Sequence, residues 1–246
     1  MPQRKIQFKN NEIYHLSIRS VGDTPIFIDD DDHFRGIFSL YEFNNLKKIT
    51  IWDRRRSRKR FKNKIRKNGE RSDRSPIIGK DNRDKFVEIL AFAIMSNHIH
   101  LLVRQVKDNG VSNFMQKFGG FAWYFNNKYS RKGHLFCAFN AVHIETDEQL
   151  RNVFIYIHCN PISIIEPGWK EKGIKYPQKA IKFLESKYRW SSFFDYIGKD
   201  NFASVTCRDF LLEFIGGTEN CKIAIEDWIK YKSKIGNFNF DGVDLE

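Results

Sequence analysis

Residues 85–105, KFVEILAFAIMSNHIHLLVRQ, are two apolar runs separated by a short Ser-Asn turn. Apolar runs of this length bounded by turn residues read as strands, and so short a connection joins neighbours antiparallel. The stretch therefore predicts a β-hairpin, KFVEILAFAIM (85–95) against HIHLLVRQ (98–105). Residues two apart on a strand point to the same face. His98 and His100 then share one face of the second run, and Ile99, Leu101 and Val103 share the other. One face reads as core and the other as a site.

The rest of the chain supplies partners for that hairpin. EIYHLSIRS (12–20) alternates Tyr14, Leu16 and Ile18 against His15, Ser17 and Arg19, the pattern of a half-buried strand. Asp29 to Asp32 offer N-caps for a helix with Phe34, Ile37, Phe38 and Tyr41 at helical spacing. Residues 111–129 predict a helix with an aromatic face, weakened by Gly119–Gly120. AFNAVHIE predicts a fourth strand. TDEQLRNVFIYIHCNP then opens with Thr146 and Gln149 at capping-box spacing, and Leu150, Val153, Phe154 and Ile157 make a core-facing stripe. Asn152, Tyr156 and Asn160 form a polar stripe beside it, and Pro161 limits the helix.

Beyond it come a Pro/Gly-bearing loop, a helix near 177–188, the aromatic run YRWSSFFDYIG, and a helical tail around 206–234. The order β-α-β-β-α-β-α predicts an α+β fold: a ferredoxin/RRM-like antiparallel sheet with helices packed on it, plus a helical C-terminal extension. The expected division is a domain over 1–198, interrupted by a basic insertion at about 52–76, and an extension over 199–246.

Charge narrows the function classes. The formal net charge is +12, and between Asp53 and Arg74 twelve Lys/Arg stand against three acids, so nine of those charges sit in one segment. A local basic patch points to a polyanion, nucleic acid before membrane, with Arg54, Arg55, Arg56, Arg58, Lys59 and Arg60 as candidate phosphate contacts. No apolar run approaches a membrane span and MPQRKIQFKNNE has no apolar signal core, so a soluble, cytoplasmic protein without membrane contact is expected. Cys137, Cys159, Cys207 and Cys221 form no C-x-x-C pair, which argues against a zinc knuckle or a disulfide framework and fits a reducing compartment.

The strand offers two imidazoles from one face, and a helix packed near it offers a tyrosine and an amide. Two imidazoles and the Asn160 oxygen could hold a divalent cation with open positions for phosphate oxygens. Tyr156 could then be the nucleophile toward a phosphodiester. The plainer readings are strand histidines satisfied in the core, Tyr156 as an amphipathic boundary residue, and Asn160 as a helix C-terminal residue. His15 is expected to be structural; His134, His143 and His158 receive no role. The aromatic residues of 114–125 read as core, with one edge available to stack on unpaired bases.

MSNHIHLLV (95–103) resembles the His-hydrophobe-His motif of the single-tyrosine (Y1, HUH) transposases of the IS200/IS605 type, including the REP-associated tyrosine transposases. Three further stretches agree in order over roughly residues 12–198. YHLSIRS…PIFIDDDDHF resembles the family's first strand and helix start, RKGHLF its Gly-Leu-Phe turn, and FIYIHCNP with YRWSS its tyrosine helix and distal Trp-Ser-Ser. The resemblance implies that His98 and His100 are a metal pair, Asn160 the third ligand, and Tyr156 the nucleophile, with Mg²⁺ or Mn²⁺ as cofactor. The implied activity is cleavage and transfer of single-stranded or hairpin-flanked DNA through a 5′-phosphotyrosine and a free 3′-OH, by a monomer or homodimer.

Two features depart from the family pattern: CAFNA after Phe136 lacks basic residues, and the basic segment is longer than the expected connection. Two other readings stay open. One is a domesticated protein that binds or nicks hairpins, and the other a non-catalytic nucleic-acid-binding domain on the same scaffold.

Overall fold

The computed structural model of the chain describes residues 6–47 and 83–235; the basic segment 52–76, with Arg54, Arg55, Arg56, Arg58, Lys59 and Arg60, lies outside the described residues. Four strands form one sheet: β1 (Ile13–Arg19), β2 (Val87–Ile94), β3 (His98–Gln105) and β4 (Asn140–Ile144). Their order is β2-β3-β1-β4 and every pairing is antiparallel, the ferredoxin-like arrangement. The hairpin forms as its sequence requires, and β1 lies along the other side of β3 with Ser17 opposite His100 and Arg19 opposite His98.

The two faces have different company. Tyr14, Leu16, Ile18, Ile99, Leu101 and Val103 pack beneath α1 (Asp30–Glu42), α2 (Gly110–Phe118) and α3 (Gly120–Lys128). The opposite face meets α4 (Asp147–Cys159) and the helices that follow it, α5 (Trp169–Lys172), α6 (Pro177–Ser186), α7 (Phe193–Tyr196), α8 (Asp209–Ile215) and α9 (Thr218–Ile235). β2 serves both layers through a bulge. Its register shifts between Ile89 and Ala91, so Val87 and Ile89 face the first layer and, after the extra residue, Phe92 and Ile94 do so. A single inserted residue reverses the alternation, which is why this strand reads as uniformly apolar.

Both expected caps form. Asp29 accepts the backbone N–H of Asp32 while the Asp32 carboxylate accepts that of Asp29, and Thr146 and Gln149 make the same reciprocal pair. The ammonium of Lys128 bridges Asp29 and Asp32 at 2.7 and 2.8 Å, tying α1 to α3. Three expectations need correction. The stripe of α1 centres on Gly36, Ile37 and Leu40, with Phe34 left 44% exposed. The helix expected at 111–129 divides at Gly119–Gly120 into α2 and α3, and the tail divides at Gly216–Gly217, where positive φ angles stop α8. All four cysteines are free. Among the described residues no helix is long and apolar enough to cross a membrane.

Candidate active site

The face of the sheet that carries His98 and His100 is covered by α4, and six polar side chains come together there. His15 Nε2 lies 3.0 Å from His100 Nδ1, with the rings stacked 5.1 Å apart. The His98 and His100 rings meet edge to face at 4.9 Å. From α4, the Tyr156 ring stands edge-on to His100 at 5.3 Å and to His15 at 5.9 Å. Asn160, one turn later, stands against His98. The sixth group is Lys170, whose Nζ donates to the Tyr156 hydroxyl at 2.9 Å.

The local structure explains each placement. His98 and His100 follow the period of β3, and the antiparallel register sets His15 diagonal to His100, within reach of an aromatic side chain. Tyr156 and Asn160 are one turn apart, and the Asn160 N–H closes the last turn of α4 on the Tyr156 carbonyl before Pro161 enters a 3-10 turn, Asn160–Ile164. Lys170 sits on a four-residue helix, α5 (Trp169–Lys172), anchored by buried Trp169 edge-on against Trp228 of α9 at 5.5 Å.

The helix that carries Tyr156 is also fixed from behind. His158 Nε2 lies 2.8 Å from the Ser192 hydroxyl, which accepts the Phe92 N–H at 3.0 Å. Ile94 N–H donates to the Trp190 carbonyl and Ser192 N–H to that of Phe92, so the Trp-Ser-Ser stretch lies along β2. That motif therefore braces the tyrosine helix against the hairpin and does not enter the site.

Tyr156 and Asn160 form no open polar stripe: Tyr156 is 2% exposed and Asn160 is as deeply covered, beneath the segment that follows α4. His15 and His100 are buried with them, and His98 is half-buried. Burial disfavours the charged imidazole. It lowers His15 to about 3, helped by Lys170, and lowers His98 to about 4, helped by the charges of Arg19 and Lys170. His100 is held well below its ordinary value by burial, with His15 and His98 adding to the effect. All three imidazoles are neutral at pH 7, each with a ring nitrogen lone pair.

Their hydrogen bonds bear on which nitrogen that is. His98 Nδ1 lies 2.6 Å from Asn97 Oδ1, a pure acceptor, so Nδ1 carries the proton and Nε2 the lone pair. For His100, a proton on Nδ1 donated to His15 likewise leaves Nε2 as the lone pair. The amide nitrogen of Asn160 has no hydrogen-bond partner among the described residues. No group of three His, Cys, Asp or Glu side chains suited to a metal occurs among the described residues; the amide beside the two imidazoles is that of Asn160.

The site residues named from sequence, His98, His100, Tyr156 and Asn160, thus lie together. His15 and Lys170 join them unannounced. His15 was visible as a strand residue facing the same way as Ser17 and Arg19, but its diagonal approach to His100 depends on strand register. Lys170 lies on a single helical turn too short for any periodicity to report. His143, assigned no role, pairs with Glu12 at 2.7 Å on the outer strand pair.

The chain matches the family model described as "Transposase IS200 like" over residues 42–160, from the end of α1 through Asn160. One solved structure, that of the "REP associates tyrosine transposase bound to a REP hairpin", is similar with a TM-score of 0.45 and 12% sequence identity, covering 80% of this chain and 86% of its own. Comparison with curated proteins gives no match. The matched stretch, residues 42–160, holds both histidines of the H-x-H pair, the tyrosine and the amide, and is similar to the IS200-like transposases.

Proposed function

We propose that the protein cleaves and rejoins single-stranded DNA at hairpin-flanked sites, with Tyr156 as the nucleophile and a divalent cation held by His98, His100 and Asn160. The observation that carries this reading is the meeting of Tyr156 with His100 at 5.3 Å within one chain, in a stretch that matches the IS200-like transposase model. A non-catalytic DNA-binding domain would need neither the neutral histidine pair nor a tyrosine pressed against it.

The donor set fits a cation that takes nitrogen and oxygen ligands. Two neutral imidazoles offer lone pairs, Asn97 orients one of them, and the Asn160 amide stands against His98. Imidazole donors favour Mn²⁺ over the oxygen-preferring Mg²⁺ in affinity. When bound, such a cation would supply Lewis-acid polarisation of the phosphodiester.

The chain's own residues account for the remaining work. The phenolic oxygen of Tyr156 attacks phosphorus, the bond to the 3′-oxygen breaks, and a 5′-phosphotyrosine and a 3′-hydroxyl result. A 3′-hydroxyl can then attack the phosphotyrosine and release Tyr156, rejoining strands without an external energy source.

The test is covalent trapping. A pool of 3′-labelled single-stranded hairpin oligonucleotides with randomised flanks is incubated with the full chain and Mn²⁺, then run on a denaturing gel. Wild type is expected to give a labelled protein–DNA adduct. Tyr156→Phe is expected to give none while keeping fold and DNA binding, since the ring packs without its hydroxyl. An adduct that survives this substitution would move the nucleophile elsewhere.

A further inference from the structure

Lys170 lies ten residues beyond the stretch matched by the family model, yet its ammonium touches the atom on which the proposed chemistry turns. Its Nζ is 2.9 Å from the Tyr156 hydroxyl and 5.0 Å from the ring centroid, so it sits at the oxygen end of the phenol. The contact is built rather than incidental. Trp169 is buried against Trp228, and this holds α5 so that the next residue reaches back over the end of α4. His15 and His100 also face Tyr156, at 5.9 and 5.3 Å between ring centroids, and are hydrogen-bonded to each other.

Resting on the reading of Tyr156 as nucleophile, we propose that Lys170 is a catalytic residue whose ammonium stabilises negative charge on the phenolic oxygen as its bond to phosphorus forms and breaks. In cleavage the Oη–P bond forms and the P–O3′ bond breaks; in net balance, the proton lost by the phenol is the one gained by the departing 3′-oxygen. In rejoining, a 3′-hydroxyl attacks phosphorus, the P–Oη bond breaks, and the phenolic oxygen leaves with the electron pair beside the ammonium until it regains a proton. Lys170 keeps its own protons throughout. A buried oxygen acquiring charge has little water to solvate it, so a fixed donor is worth far more there than at the surface. Loss of one donor aimed at developing charge typically slows a reaction by about 10²–10³-fold.

The experiment measures single-turnover adduct formation, and its reversal by added 3′-hydroxyl strand, with the same labelled hairpin pool and Mn²⁺. Lys170→Met is expected to slow both directions by about 10²–10³-fold without weakening DNA binding, whereas Lys170→Arg retains most of the rate. The decisive variant places 3,5-difluorotyrosine at position 156 in the Lys170→Met chain. Its phenolic oxygen bears charge more easily, so it should recover much of the lost rate, which a merely structural lysine would not allow.

Wild-type rates in Lys170→Met overturn the proposal while leaving the nucleophile reading intact. Slow rates that neither arginine nor the fluorinated tyrosine restores assign Lys170 to structure and overturn it as well. A wild-type chain that forms no adduct, or an adduct that persists in Tyr156→Phe, sinks the nucleophile reading and this inference with it.

Discussion

His15 and His100 belong to neighbouring strands and meet nitrogen to nitrogen, with His15 Nε2 3.0 Å from His100 Nδ1. The pair is buried and neutral, so one ring must donate and the other accept. If His100 donates from Nδ1, its Nε2 is left as a lone pair. His15 is then to His100 what Asn97 is to His98, an acceptor behind the ring that fixes its tautomer.

Metal affinity tests this arrangement without requiring turnover. In Mn²⁺ titrations of the full chain followed by electron paramagnetic resonance, His98→Ala and His100→Ala should each remove specific binding. His15→Phe should weaken it by roughly 10–100-fold, the usual effect of losing a group that orients a ligand. His15→Gln, which keeps an acceptor, should lie closer to wild type. Full adduct formation in excess chelator would remove the cation from the mechanism altogether.

Stability should fall on acidification well before the carboxylates titrate. His158 is buried and its folded-state value is pushed down to about 3, as is that of His15, while His98 is lowered to about 4. These values lie below the unfolded value of 6.5, so between them the unfolded chain binds more protons. The contribution is fully present above pH 6.5 and is lost as pH falls through 6.5 toward 3–4. Each such histidine adds about 1.4 kcal/mol per pH unit to the slope inside that window. Urea midpoints measured from pH 8 to pH 4.5 should decline accordingly, and His158→Gln should lower the slope by about one proton. A flat profile down to pH 5 would contradict the neutral burial of these rings.

Much of this molecule can be read from local pattern. Period-two alternation places His98 and His100 on one face, the reciprocal Asp29–Asp32 and Thr146–Gln149 signals start two helices, and helical spacing puts Tyr156 one turn before Asn160. What escapes is set by tertiary geometry. The bulge at Leu90 decides which layer each β2 residue enters, and a uniformly apolar strand conceals it. His15 depends on the β1–β3 register, which is a property of two strands together. The roles of His158 and Lys170 depend on where the Trp-Ser-Ser stretch and the loop after Pro161 come to rest. The burial of Tyr156 and Asn160 has the same origin: a polar stripe on a helix predicts solvent only until a later segment covers it.

The basic segment calls for a separate test, because it carries nine of the chain's twelve net charges and lies outside the described residues. If its side chains contact phosphates, replacing Arg54, Arg55, Arg56, Arg58, Lys59 and Arg60 with Ser should weaken binding to all hairpins alike. Each lost contact to a single strand should lower the slope of log affinity against log salt by about 0.7. The position of the Tyr156 adduct on the DNA should not move, since phosphate contacts set affinity and carry no sequence information. Affinity for one cleaved and one scrambled hairpin across a salt series separates the two effects. An unchanged slope would make the segment a solvated insertion. Nothing in the geometry of His98, His100 and Tyr156 would need revision on that outcome, because that site is assembled by strands and helices elsewhere in the chain.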